Sequence, residues 1–216
     1  MNRIFAIAAA ITLASAGTAF AHHPLGGMTP QNFMQGFLSG IGHPVIGFDH
    51  LAFVVAVGLI AAFHANRLVM PALFVVGTVA GTALTLAAVT LPLAELVITG
   101  SVIAGGIVAM RGKVTDIRAA GGLAAGAGLF HGWAYGAAVI GAEPTPIAAY
   151  LLGFGMIQMA IALGVALFAQ RIWKALDASA LQPRLAGAVV AGVGLTYIVE
   201  IVDGVVLSAM RRRCRP

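Results

Sequence analysis

The chain has 216 residues, of which 60% are hydrophobic and 9% charged, with a mean hydropathy of +0.99. A water-soluble domain carries roughly 25% charged residues, so this composition excludes an ordinary soluble enzyme and requires lipid as the solvent for its surface. The net charge of +5 comes without basic patches interleaved with exposed aromatics, which argues against nucleic acid as a partner, and the single cysteine, Cys214, excludes an intrachain disulfide or a cysteine-based metal cluster within one chain.

The first 21 residues read as a cleavable signal peptide. Arg3 supplies a minimal positive start, Ile4 to Ala16 an apolar core, and Ala19-Phe20-Ala21 an A-x-A cleavage site. An uncleaved first span fits less well, because this apolar run is short for a bilayer core about 30 Å thick. The mature chain, 22–216, reads as a single transmembrane domain that begins with His22-His23 on the periplasmic face of a bacterial inner membrane. Residues 31–42 are apolar but too few to cross, and would lie at the interface or re-enter the membrane.

From there the pattern predicts an all-α, polytopic bundle of about six spans, at 44–64, 68–89, 91–110, 119–140, 147–169 and 185–210. Arg67, then Arg111, Lys113 and Arg118, then Arg171, Lys174 and Arg184 fall in alternate loops, while the intervening outer loops lack Lys and Arg. That is a positive-inside pattern. Against it, six spans from an outside N-terminus leave Arg211, Arg212, Arg213 and Arg215 outside as well. Gly36/Gly40, Gly77/Gly81 and Gly128/Gly132/Gly136 recur at four-residue spacing, a smooth helix stripe that lets a neighbour approach closely.

Ionisable groups inside a bilayer are costly and mark function. At a rise of about 1.5 Å per residue, His50 lies about 9 Å below the outer end of its span, with Asp49 slightly shallower. Glu95 lies about 6 Å deep, His131 about 13 Å, Glu200 about 15 Å and Asp203 about 10 Å. If their faces converge, these groups form one site in the outer half of the membrane.

The densest local pattern is His43-Pro-Val-Ile-Gly-Phe-Asp49-His50. Pro44 sits poorly inside a helix, so the backbone is expected to bend at Gly42-His43-Pro44. On a regular helix His43 and His50 would stand about 10 Å apart along the axis, too far for one ion with metal–nitrogen bonds near 2 Å. A break near Pro44 or Gly47 would bring them together, and unwound backbone is tolerated at membrane depth where it lines a cavity. Imidazole and carboxylate without cysteine suit Ni²⁺, Co²⁺ or Zn²⁺; a structural His–Asp network locking helices together is the plainer alternative. His22 and His23 could capture metal at the mature terminus, and Met156 and Met159 offer sulfur suited to Cu(I), though ordinary packing explains them as well. No His-Glu-x-x-His or Gly-x-Ser-x-Gly is present, and Gly106…Gly112-Lys113-Val114 misses a phosphate loop in both spacing and its final residue. The chain reads as a non-enzyme.

His43-Pro44-x-x-Gly47-x-Asp49-His50, followed by Phe130-His131-Gly132-x-Ala134, resembles the HupE/UreJ proteins over essentially the whole chain. These are small bacterial membrane proteins associated with hydrogenase and urease and regarded as nickel or cobalt permeases. The resemblance implies import of Ni²⁺ or Co²⁺ as substrate, with His43, Asp49, His50 and His131 as metal ligands and no permanently bound cofactor. Glu95, Glu200 and Asp203 would add negative field or further ligands. The second motif departs from the family's: Tyr135 stands where a histidine is usual, and Glu143 supplies an acid only further on. Competing expectations are a non-transporting metal-binding accessory protein for hydrogenase or urease maturation, a copper or zinc transporter, and a structural membrane protein. Partners would be the divalent ion and the lipid bilayer, with a homo-oligomer or a maturation partner compatible with the sequence.

Overall fold

The structure, a computed structural model, describes residues 28–213, with side chains described up to residue 204. The expected signal peptide, His22, His23 and Cys214 lie outside the described residues. Within them the fold is all-helical: α1 Phe33–Ile46, α2 Phe48–Ala61, α3 Val69–Leu86, α4 Ala94–Met110, α5 Ile117–Gly136, α6 Pro144–Arg171 and α7 Leu181–Arg213, with a short 3-10 turn Ala137–Val139 after α5. Local chemistry sets several of the starts. Asn32 accepts the Gln35 N–H at 3.0 Å ahead of α1, and Asp116 accepts those of Arg118 and Ala119 at 2.9 and 3.2 Å ahead of α5. Pro144 opens α6, where its missing N–H costs nothing.

By length and apolarity, Val69–Leu86, Pro144–Arg171 and Leu181–Gly204 can each cross a membrane, and α1 with α2 forms a further, broken candidate. Helix α4 is apolar but shorter, at 17 residues. Large apolar side chains cover the outside, among them Val76, Leu152, Met156, Val189, Leu195 and Val199. Such a surface belongs in lipid, and the chain is a multi-pass membrane protein.

Helix α2 is the centre of the bundle. It touches every other helix, and its Phe53, Val54, Ala56 and Val57 are almost wholly buried. Around it stand three close pairs, α1 with α6, α3 with α5 and α4 with α7. Glycines set each pair. A Cβ at Gly36 or Gly40 would collide with the backbone of Pro146 or Tyr150 on α6. Gly77 and Gly81 on α3, and Gly128 and Gly132 on α5, lie equally close to the facing backbone, as do Gly106 and Gly187 between α4 and α7. The four-residue glycine spacing is thus a packing code for helix pairs.

The chain does not bend at Gly42-His43-Pro44 but at Gly47, the second break point that the sequence offers. Helix α1 runs through Pro44 to Ile46, and the break falls at Gly47, where the chain turns by 81° into α2. Gly47 is extended (φ −75°, ψ 101°), and its N–H closes α1 by donating to the His43 carbonyl at 3.2 Å. A Cβ at Gly47 would stand 2.7 Å from Cδ2 of His50, so glycine here makes room for that imidazole. The segment expected to stop at residue 42 is therefore part of a helix that carries His43.

The basic loops meet at one end. Arg67 donates to Oε1 of Gln170 at 2.7 Å, and Arg184 donates to the Met110 carbonyl at 3.1 Å, closing α4. His64 stands between the Ile60 and Thr115 carbonyls, 2.9 Å from each. In the loop leading to α7, the hydroxyl and N–H of Ser179 both donate to Asp177, which holds its carboxyl below the usual range.

Candidate metal centre

The 81° turn aims the end of α1 and the start of α2 at the same point. His43 comes from the last turn of α1, His50 from the first turn of α2, and His131 and Tyr135 from successive turns of α5. All four are buried, His131 and Tyr135 completely. Asp49 lies at the N-terminus of α2, where a negative charge is favoured by the helix dipole. One of its oxygens accepts the His50 N–H at 2.8 Å, and the other stands 4.0 Å from His50 Nδ1.

The closest pair is His50 and His131, whose Nδ1 atoms are 2.7 Å apart. Nε2 of His131 is 2.9 Å from the Ser101 hydroxyl on α4, and that hydroxyl donates its one proton to the Ile98 carbonyl at 2.6 Å. Ser101 must therefore accept from His131 Nε2–H. A neutral His131 then turns its Nδ1 lone pair to His50, which donates from its own Nδ1. The same reasoning fixes His43. The Tyr150 hydroxyl donates to the Tyr135 carbonyl at 3.0 Å, so it accepts from His43 Nδ1–H at 2.9 Å. A neutral His43 carries its lone pair on Nε2.

Two nitrogens bound at right angles to one ion, each at about 2.0–2.1 Å, lie about 2.9 Å apart. The His50–His131 pair is within a few tenths of an ångström of that spacing. An ion could replace the shared proton, with His50 shifting its own proton to Nε2. Phe53 stacks on His131 at 4.9 Å between ring centres and Phe74 meets it edge-on at 5.8 Å, which closes that side with apolar rings.

The remaining expected residues are not brought in. Glu95 sits exposed in the first turn of α4, Glu143 exposed ahead of α6, and Glu200 and Asp203 exposed on α7. Their depth is compatible with a shared site, but their faces turn outward. Among the described residues, no three His, Cys, Asp or Glu side chains are already gathered to hold an ion. Sequence reasoning missed Ser101, Tyr150 and Gln158. The available signal was weak: buried polar residues isolated in otherwise apolar helices, Ser101 on α4 and Gln158 on α6.

No curated protein and no solved structure matches the chain. The family described as HupE / UreJ protein matches residues 9–197, which takes in every helix from α1 to α6, about half of α7 and all of the buried histidine cluster, and the chain belongs to that family.

Proposed function

We propose that this protein is a secondary transporter that carries a divalent transition-metal ion, Ni²⁺ or Co²⁺, from periplasm to cytoplasm across the bacterial inner membrane. The observation that carries the reading is the His50–His131 pair, two imidazole nitrogens 2.7 Å apart inside a lipid-facing bundle. Buried imidazoles in a membrane are functional by default. A nitrogen site without thiolate suits the borderline ions that the family is associated with. In this reading the ion is cargo and no cofactor is resident. His43, Asp49, His50 and His131 form the ligand set, and the exposed carboxylates Glu95 and Glu143, at the starts of α4 and α6, raise the local concentration of cations at the surface. The mature N-terminus with His22 and His23 faces the periplasm, and six spans cross the membrane, with α1 and α2 together making the first.

Uptake of radioactive nickel by cells expressing the chain tests this directly. Uptake above empty cells that is lost in His50→Ala, at equal amounts of protein in the membrane, is the expected result. Wild-type uptake by that variant at low external nickel would remove the site. Nickel binding without uptake would make the protein an accessory, and competition by Zn²⁺ or Cu⁺ alone would change the ion.

A further inference from the structure

Helix α2 carries His50 in its first turn, and side chains tie down its other end, where the basic loops meet. The Ala62 carbonyl accepts from the carboxamide nitrogen of Gln170 on α6, and the carboxamide oxygen accepts from Arg67 at 2.7 Å. The Ile60 carbonyl lies 2.9 Å from Nδ1 of His64, and the Thr115 carbonyl lies 2.9 Å from Nε2 of the same ring. Both neighbours are acceptors with no proton to give. A neutral imidazole has one N–H and one lone pair, so it bonds one carbonyl and turns a lone pair on the other. Only the imidazolium, with two N–H groups, makes both bonds. A positive charge also suits this end of α2, where the helix dipole is negative.

The other charged groups at this end are Lys113 and Asp116 to either side of Thr115, Arg67 ahead of α3, Arg171 at the end of α6 and Arg184 at the start of α7. Asp116 is turned to the N–H groups of Arg118 and Ala119, Arg67 to Gln170 and Arg184 to Met110. Among the described residues no carboxylate comes within 4.0 Å of His64, so no ion pair locks the ring in its charged form. Histidine changes charge within the pH range of the cell. Here that change takes the number of ring bonds from two to one.

The Ile60 contact stays within one turn of chain, whereas the Thr115 contact holds a segment 51 residues away. Ordering that segment costs conformational entropy, so the Thr115 bond is the one a neutral ring gives up. The segment joins α4, which carries Ser101, to α5, which carries His131. His64 thus fastens the two helices behind the Ser101–His131 bond to the end of the helix that carries His50. A small cavity lined by Ile60, Phe63, Lys113 and Thr115 adjoins the contact and gives the connection room to move.

We propose that His64 is a proton-operated clamp: charged, it ties the end of α2 to the α4–α5 connection, and neutral, it releases Thr115 and frees that connection. The clamp stands on its own geometry. That it sets the rate of ion passage in response to cytoplasmic pH rests on the transport reading above, which puts this end of the bundle in the cytoplasm.

Carbon-13 and nitrogen-15 spectra of the purified full chain in detergent micelles, without metal, test the clamp from about pH 5.5 to 8.5, the span around the reference histidine value. The Thr115 carbonyl shift is expected to move with the same midpoint as the His64 ring, while the Ile60 carbonyl stays hydrogen-bonded. In His64→Gln, which does not titrate, the Thr115 shift should be flat. A Thr115 carbonyl that ignores His64 in the wild type, or that still titrates in His64→Gln, would overturn the clamp; if the variant does not fold, the wild-type spectra decide alone. Nickel entry into right-side-out membrane vesicles is then measured with the outside pH fixed and the inside pH raised over the same span. It should quicken by about two- to tenfold, the range that one hydrogen bond supports, and should lose this dependence in His64→Gln. Entry indifferent to inside pH, or a dependence that survives in His64→Gln, would overturn the coupling to transport. No nickel entry at all would overturn the transport reading, while the Thr115 spectra still decide the clamp.

Discussion

Replacing Tyr150 by phenylalanine separates the imidazole from the group that fixes its proton. The ring stays, with its edge contacts to Phe154 at 5.4 Å and His43 at 6.2 Å, so packing changes little. What leaves is a hydroxyl that accepts from His43 Nδ1 and donates to the Tyr135 carbonyl. That carbonyl keeps the Ala137 N–H as a second partner, whereas His43 loses the bond that turns Nε2 toward the cluster. Outer partners of ligating histidines change metal affinity by about 10- to 100-fold, equivalent to about 1.4–2.8 kcal/mol. We therefore expect Tyr150→Phe to weaken Ni²⁺ binding by at least about tenfold, with folding and membrane insertion retained. Calorimetry in detergent measures the loss, and nitrogen-15 spectra of the histidine rings report whether His43 changes tautomer. An unchanged affinity, or a changed affinity with the tautomer intact, would refute the reasoning.

Three further outcomes follow from the geometry. Ser101→Ala removes the acceptor for His131 Nε2–H and should weaken Ni²⁺ binding about tenfold, with Ser101→Thr close to wild type in the same titration. Tyr135→His puts a fourth imidazole against His43 and His50 and should lower the nickel concentration that half-saturates uptake; a concentration curve identical to wild type would show that position 135 does not face the ion. Gly132→Ala drives a Cβ into the backbone of Thr78, whereas Gly100→Ala meets nothing. Thermal melts in detergent should show the first strongly destabilised and the second neutral or stabilised by up to about 1 kcal/mol through helix propensity.

Much of the fold was legible because hydropathy and glycine spacing are properties of one helix at a time. The histidines were legible for a related reason: a charged or titratable ring in an apolar run has few explanations. Pro44 and Gly47 both stood as break points; Pro44 is the stronger local signal, while the need for glycine at 47, where the chain does break, comes from the His50 ring folding back over it. Counting depth misled in the same way. It places Glu200 and Asp203 level with the site, but it does not say which way a helix face points, and both are exposed. Ser101, Tyr150 and Gln158 act through partners on other helices, 30, 107 and 80 residues away in the chain. Only packing brings those partners together.

The glycine-welded pairs divide the machinery between them. His43 and Tyr150 belong to α1 and α6, His131 and Tyr135 to the α3–α5 pair, and Ser101 to α4 in the third pair, with His50 on the central helix. Backbones in contact leave no slack within a pair, so any rearrangement must run along the seams between pairs. Leverage then makes small angles sufficient. An 18-residue helix such as α3 is about 27 Å long, and tilting a body of that length about its middle by roughly five degrees moves its end by about 1.2 Å. That is more than half the length of a metal–nitrogen bond of about 2.0–2.1 Å. A rocking motion too slight to disturb lipid contacts would thus be enough to open or close the grip on an ion.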